Sequence, residues 1–344
     1  MTESAPVTES SSRSRTARPR LGFLGVGWIG RHRMEALAKT GLAEIAAIAD
    51  ALDPNIAEAA KIAPRAECVP SIDQLLALDL DGMVIATPSA LHAEQSIAAL
   101  DRGLSVFCQK PLARTAAETA TVIAAARANN QLLAVDLSYR FTSGIQRIRR
   151  LLQSGELGRI FAVDLVFHNA YGPDKPWFYD FKLAGGGCVI DLGIHLVDLA
   201  LWLLGNPSIK KVTSQLFSQG EVLGIPPARV EDYAVARVDL GSGTTLQLSC
   251  SWKLQAGCDA IIGASFYGTS GGAEFHNVNG SFYEFRADRF RGTSREPLAS
   301  GAEDWGGRAA VDWLKRLSEG EKYNPEVEGL ITVAQTLDQI YGRA

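Results

Sequence analysis

Arg20-Leu-Gly-Phe-Leu-Gly25-Val-Gly27-Trp-Ile-Gly30-Arg-His-Arg-Met34, with Asp50 sixteen residues further on, decides how the chain reads. Residues 20–24 form a short apolar strand, and Gly25-x-Gly27-x-x-Gly30 follows at once. Met34, Leu37 and Ala38 then recur at helical spacing until Gly41, a helix stop. Glu44-Ile-Ala-Ala-Ile-Ala-Asp50 reads as a second buried strand, which completes a βαβ unit. A glycine triplet alone is a weak signal; strand, triplet, helix and acid in this order make a strong one. Gly25 permits the tight turn, Gly27 lets a pyrophosphate approach the backbone, and Gly30 lets the helix close on the strand. The helix N-terminus, with Trp28 and Ile29 in its first turn, offers N–H groups and partial positive charge to phosphates. Asp50 stands where an acid accepts from adenosine ribose hydroxyls and repels a 2′-phosphate. Ala51 and Leu52 follow it, with no arginine, which favours NAD over NADP.

The alternation continues outward from this unit. Helices are predicted over 57–62 and 72–78, and a strand over 82–86 ends in Thr87-Pro88. A helix over 92–102, starting at His92, stops at Gly103, and a strand over 105–108 runs into Gln109-Lys110-Pro111. An alanine-rich helix over 116–129 precedes a strand over 132–136. Such alternation predicts a doubly wound parallel sheet, a Rossmann domain spanning 20–137. After residue 136 the pattern changes. One helix (145–153) is followed by extended segments at 160–167, 233–240, 244–254 and 260–267, and Asn279-Gly280 marks a tight hairpin. Residues 138–344 are therefore expected to form an α+β domain with a large, mostly antiparallel open sheet, serving substrate binding and oligomerisation. A sheet face without helices needs another cover, which predicts a homodimer or homotetramer.

Composition narrows the function classes. The 344 residues suffice for two domains; 47% are hydrophobic and 21% charged, as in ordinary globular proteins. A net charge of −4 argues against nucleic acid as a partner. The longest apolar run, 192–204, is broken by His195 and Asp198, so no membrane span is expected. Five scattered cysteines without a CxxC pair point to free thiols in a cytoplasmic protein, with neither a disulfide framework nor a structural zinc site. Residues 1–19, rich in Ser, Thr, Arg and Pro, are expected to be a disordered tail and lack the apolar core of a secretory signal.

Two further segments carry chemistry. Lys110 lies at the C-terminal end of a predicted strand, the edge at which open α/β sheets bind ligands; on its own it reads equally as a surface lysine. Gly185-Gly-Gly-Cys-Val-Ile-Asp191-Leu-Gly-Ile-His195-Leu-Val-Asp198 predicts a helix over about 189–204, with Asp191 and His195 four apart on one face. That pair suits proton transfer. It also suits a buried histidine satisfied by its neighbour, or a metal site with His168 as third ligand, which nothing in the spacing fixes; no metal is expected. Between these segments, His168, Tyr171 and Trp177 belong to an aromatic stretch suited to stacking on a sugar ring, or to packing a core or subunit interface.

Gly25 to Gly30, Ala86-Thr-Pro-Ser-Ala-Leu-His92, Gln109-Lys110-Pro111-Leu112, Tyr139-Arg140-Phe141, the run from Asp191 to Asp198, and Tyr267-Gly-Thr-Ser-Gly271 together resemble the glucose–fructose oxidoreductase and inositol dehydrogenase (Gfo/Idh/MocA) family, from residue 20 onward. The resemblance implies an NAD(P)-dependent dehydrogenase acting on a CH–OH group of a sugar, polyol or related cyclic alcohol. Lys110, Asp191 and His195 match the family's catalytic positions: His195 would take the hydroxyl proton, Lys110 would stabilise the alkoxide, and Asp191 would orient His195 and favour its protonated form. Thr87, Pro88, His92, Gln109 and Lys110 would join the cofactor site, and Tyr139, Arg140, His168, Tyr171 and Trp177 the substrate site. Relatives of this type also include non-catalytic nucleotide-dependent sensors and NAD-dependent redox glycosidases. The chain departs from the family at Gln109, where glutamate is usual.

Overall fold

The apolar runs of the first 137 residues become strands buried on both faces. A computed structural model describes residues 18–343, so nearly all of the tail expected at 1–19 lies outside the described residues. The first domain runs β1 (Arg20–Leu24), α1 (Trp28–Thr40), β2 (Glu44–Ala49), α2 (Asp53–Ile62), β3 (Glu67–Cys68), α3 (Ile72–Ala77), β4 (Gly82–Ile85), α4 (Ser89–Asp101), β5 (Ser105–Cys108), α5 (Ala116–Ala128) and β6 (Leu133–Val135). Its six strands pair in parallel in the order β3-β2-β1-β4-β5-β6. Leu21, Phe23, Met83, Val84, Ile85, Val106 and Phe107 are almost wholly buried, as expected of a parallel sheet with helices on both faces. The order reverses between β1 and β4, which opens a crevice at their C-terminal ends.

The second domain contains α6 (Ser143–Gln153), β7 (Ile160–Asn169), α7 (Phe181–Ala184), a π-helical turn (Val189–Gly193), α8 (Ile194–Leu203), β8 (Ile209–Ser218), β9 (Glu221–Val222), β10 (Tyr233–Leu240), β11 (Thr245–Ser251), β12 (Ala260–Gly268), β13 (Gly272–Asn277), β14 (Glu284–Arg291) and β15 (Ser294–Ala302). Nine strands form one sheet in the order β15-β14-β13-β12-β7-β11-β10-β8-β9, antiparallel except for the β7–β11 pair. Strand alternation sends Val163, Leu165, Phe167, Leu246 and Leu248 into a core shared with Leu196, Leu199 and Ala200 of α8. The alternate residues Asp164, Thr213, Gln215, Arg237 and Gln247 stay exposed and line a shallow groove on the other face. Asn279 and Gly280 both take positive φ in the connection between β13 and β14, where Ser281 N–H donates to Val278 O at 2.9 Å.

The boundary expected at 137/138 needs one amendment. After β15 the chain returns to the first domain through α9 (Arg308–Ser318), and α10 (Gly329–Tyr341) packs against α5, α8 and β8. On α9, Trp313 is fully buried, its ring 5.8 Å from that of Phe107, and Ala310 and Leu314 join the same cluster as Leu21, Phe23 and Val84. Gly82 makes this approach possible, since a Cβ there would lie 2.9 Å from the Trp313 ring. The helix is amphipathic but follows a long β region, so the sequence pattern alone assigns it to the second domain. One helical stretch among the described residues, Phe181–Leu203, is apolar and long enough to cross a bilayer; 89% of its most apolar window is buried inside the protein, as suits a core helix.

Trp313→Ala is expected to destabilise the protein by about 3–5 kcal/mol, the cost of emptying an aromatic core site. Its Nε1 has no hydrogen-bond partner, so Trp313→Phe should cost distinctly less. Denaturant titration of the two variants checks both.

Candidate active site

The glycine triplet adopts the geometry that each position demands. Gly25 has φ +84°, and a Cβ there would meet Ala86 O at 2.6 Å. Gly30 presses against β1, where a Cβ would lie 2.1 Å from Gly25 O. Around Gly27 nothing lies within 4 Å of a Cβ position, which leaves the backbone open to a ligand. Gly27 is also the N-cap of α1, and no side chain caps that end. A turn that must be glycine, an open approach and an uncapped helix N-terminus fit a dinucleotide pyrophosphate. Trp28 beside it is 67% exposed, its ring 5.9 Å from that of His32, and Ile29 is half-buried.

Asp50 closes the far end of this cleft. Its Oδ2 accepts Val26 N–H at 2.7 Å, and its Oδ1 accepts Leu52 N–H at 2.9 Å and Asn55 Nδ2 at 3.0 Å. The residues after Asp50 carry no arginine, yet the fold brings one in. Arg31 on α1 donates to Val26 O at 3.0 Å and reaches Asn55 Oδ1 at 3.4 Å. Reading only the neighbours of Asp50 in sequence misses it.

At the other end, Thr87 and Pro88 are half-buried at the end of β4. His92 is not exposed to this cleft: it is 1% exposed, and its two ring nitrogens lie 2.7 Å from Thr87 O and 2.7 Å from Pro111 O. It ties the loop after β4 to the loop after β5. Gln109 is buried too, and Lys110 follows, joined to Pro111 by a cis peptide bond.

Lys110 reaches across to the second domain. Its Nζ donates to Asp191 Oδ1 at 2.5 Å and to Asp191 O at 2.8 Å. Asp191 sits in the π-helical turn before α8, a wider turn of the kind that recurs at functional sites. Its other oxygen, Oδ2, accepts Trp252 Nε1–H at 2.9 Å. The expected Asp191–His195 hydrogen bond is absent among the described residues. Both carboxylate oxygens are taken by Lys110 and Trp252, and His195 Nδ1 is buried without a partner. The surroundings also disfavour the protonated form that Asp191 was expected to favour. Burial, the Lys110 ammonium and the Arg33 guanidinium together push the His195 imidazole well below its usual 6.5, which favours the neutral form.

Aromatic rings stand on two sides of this group. The Tyr139 ring lies 5.1 Å from His195 and 4.3 Å from Trp305; Tyr139 is 4% exposed, and burial pushes its phenol above the ordinary range. On the other side Trp252 meets Phe178 and Tyr179 edge-on, and Trp177 stacks on Phe178 at 3.8 Å. Tyr171 is an exposed rim residue that donates to Asp259 at 2.5 Å.

Two of the residues expected at the substrate site are engaged by other side chains. Arg140 is paired with the buried Asp198, its Nε donating at 2.7 Å, and packs on the Trp202 ring; it anchors α8. His168 alternates with Phe167 and so points to the outer face of the sheet. There it contacts Ser251 and Ser249 at 2.8 and 3.2 Å and stacks on Tyr233, on the face away from α8. It therefore cannot join Asp191 and His195 around one ion. The three-ligand cluster found among the described residues, Glu274, His276 and Asp288, lies on β13 and β14 and is already engaged by Arg286 and Arg295. Trp252 is the residue that sequence reasoning missed; a single aromatic just after a strand gave no signal that it meets Asp191.

Fold and cleft define a nucleotide-binding oxidoreductase architecture, and comparison with known proteins gives the family. Residues 20–137 match the model described as oxidoreductase family, NAD-binding Rossmann fold, and residues 145–274 match the GFO/IDH/MocA C-terminal domain. The rhizopine catabolism protein MocA of Rhizobium meliloti is 31% identical over 261 residues, covering 75% of this chain and 78% of that protein. The D-glucoside 3-dehydrogenase of Escherichia coli K12 is 32% identical over 209 residues, 58% of this chain and 60% of its own length. The fold of levoglucosan dehydrogenase, solved with NADH and levoglucosan, superposes with a TM-score of 0.80 at 23% identity, covering 95% of this chain and 97% of that one. The chain belongs to the Gfo/Idh/MocA family of oxidoreductases.

Trp252→Phe replaces the indole by a smaller phenyl and removes the N–H that holds Asp191. A hydrogen bond to a charged group is worth about 1.5–3 kcal/mol, so kcat/KM should fall roughly ten- to hundredfold. Trp252 is 3% exposed, so the smaller phenyl also leaves part of a core site empty and the melting temperature should fall; activity is therefore compared well below the variant's melting temperature, which a thermal scan supplies.

Proposed function

We propose that the protein is an NAD-dependent dehydrogenase that oxidises a CH–OH carbon of a sugar, polyol or related cyclic alcohol. The observation that carries this reading is the contact of Lys110 with Asp191 at the mouth of a dinucleotide cleft, beside a half-buried histidine and between aromatic walls. A nicotinamide bound in that cleft would supply the hydride acceptor. The Lys110 ammonium, fixed by Asp191, stabilises the oxyanion that develops on the substrate. His195, held neutral by its surroundings, takes the hydroxyl proton. Asp191 thus acts on Lys110 rather than on His195. The half-buried Trp177 offers a ring on which a sugar face would stack, with Tyr139 and Trp252 buried behind the Lys110–Asp191 pair. The E. coli and rhizobial relatives, named for a glucoside and a rhizopine, support a carbohydrate-like substrate.

Asp50 supports NAD over NADP, and Arg31 beside it makes the NADP control essential. The open face of the nine-stranded sheet, bearing Phe161, Ile261 and Tyr267 at 46%, 37% and 37% exposure, is proposed to pack against a second copy in a homodimer or homotetramer. All five cysteines are unbridged, which supports a cytoplasmic setting.

A panel of aldoses, ketoses, inositols and glycosides, incubated with NAD and with NADP and read by nicotinamide absorbance, tests the activity. Substrate-dependent NADH formation is expected; silence across the panel despite measured cofactor binding would favour a sensor or a redox glycosidase. His195→Asn should lose most of the turnover, and full turnover would remove His195 from its role. Because its pKa is depressed, the base form persists through neutrality, so kcat/KM for oxidation should hold at pH 7 and fall only on acidification below 6.5. A pH–rate profile of the wild type checks this.

A further inference from the structure

Gln109 stands at the centre of a buried polar group that the proposed reaction does not use directly. Its Nε2 donates to Asp136 Oδ2 at 2.5 Å, and its Oε1 accepts the Lys110 backbone N–H at 3.0 Å. Asp136 is 1% exposed; its Oδ2 also accepts Arg33 Nε at 2.5 Å, and its Oδ1 accepts from Ser138 Oγ. Arg33 comes from α1, Gln109 from the end of β5 and Asp136 from the end of β6, so three elements converge under the loop that carries Lys110. One carboxylate, one guanidinium and one amide leave this group with no net charge. An amide is suited to the position, because it accepts from one neighbour and donates to the other. An ionised glutamate would present a second carboxylate to Asp136 with a single guanidinium between them, and a buried unpaired charge is costly.

We infer that Gln109 is a positioning residue for Lys110, matched to the buried Arg33–Asp136 ion pair, and that it keeps the floor of the cleft beneath Lys110 electrically neutral. The inference rests on the dehydrogenase reading only for its catalytic consequence. Its electrostatic consequence is separate. Oxidised nicotinamide carries a positive charge that the reduced form lacks, so added negative charge here selects for the oxidised form.

Three variants test this: Gln109→Glu, Gln109→Met, and Gln109→Glu combined with Asp136→Asn. Dissociation constants for NAD+ and NADH, melting temperatures without cofactor, and kcat are measured for each. Gln109→Glu should lower the melting temperature and, at a pH high enough to ionise both carboxyls, shift the ratio of the NADH to the NAD+ dissociation constant upward, on the order of tenfold, the Coulombic scale for one unit charge at a partly buried site. The double variant, in which carboxylate and amide change places, should return the ratio to near the wild-type value. Gln109→Met, which removes both hydrogen bonds and adds no charge, should leave the ratio unchanged and lower kcat. The inference is overturned if Gln109→Glu leaves ratio and melting temperature as in the wild type, if the double variant stays as shifted as the single one, or if Gln109→Met keeps full kcat. Binding and melting need no substrate, so they remain decisive even if the proposed substrate class fails.

Discussion

The ion pair between Lys110 and Asp191 joins the two halves of the molecule at the point where the chemistry is proposed to occur. Lys110 leaves the C-terminal edge of the parallel sheet, and Asp191 leaves the turn ahead of the core helix of the second domain. Both side chains are largely withdrawn from water, at 19% and 14% exposure, so their attraction is screened far less than that of a surface pair. Much of the surrounding structure fixes these two groups. The Trp252 indole takes the second oxygen of Asp191. The π turn sets where Asp191 leaves the helix, and Gln109 holds the Lys110 backbone from beneath. Helix α9 packs back on α1, β5 and β6 of the first domain, and α10 packs against α5 of the first domain and α8 and β8 of the second.

This arrangement separates the charges of the site. Asp191 is committed to Lys110, so it does not stabilise a protonated His195, and the neighbouring cations of Lys110 and Arg33 disfavour that form further. A neutral imidazole beside a fixed ammonium is what proton removal followed by oxyanion stabilisation requires. Four apart in sequence, Asp191 and His195 look like a dyad; in space the carboxylate serves the lysine.

The first domain was legible almost residue by residue. Strand, glycine turn, helix and acid are local signals, and the constraints that act on Gly25 and Gly30 are backbone constraints which any reading of spacing recovers. The segments that become β7, β10, β11 and β12 were legible too, as was the hairpin at Asn279-Gly280, whereas β8 and β15 were not read as strands. What escaped depends on distant partners. Nothing near Trp252 marks it as a neighbour of Asp191, and nothing near Trp313 sends α9 back to the first sheet. Arg31 meets the Asp50 corner only because α1 and α2 are adjacent. The partners of Arg140 and His168 were hidden for a related reason. A sequence names a polar residue close to the site, but its face is set by helix packing for one and by strand alternation for the other.

The central claim is that Lys110, fixed by Asp191, stabilises the charge that develops on the substrate and is not needed merely to hold the cofactor. Lys110→Met addresses it most directly, with NADH affinity and single-turnover hydride transfer measured on the same protein. The expected result is near-wild-type NADH affinity with hydride transfer slowed by about a hundredfold or more, the scale for removing one donor to a developing oxyanion. Hydride transfer at the wild-type rate, or a loss confined to cofactor binding, would contradict it.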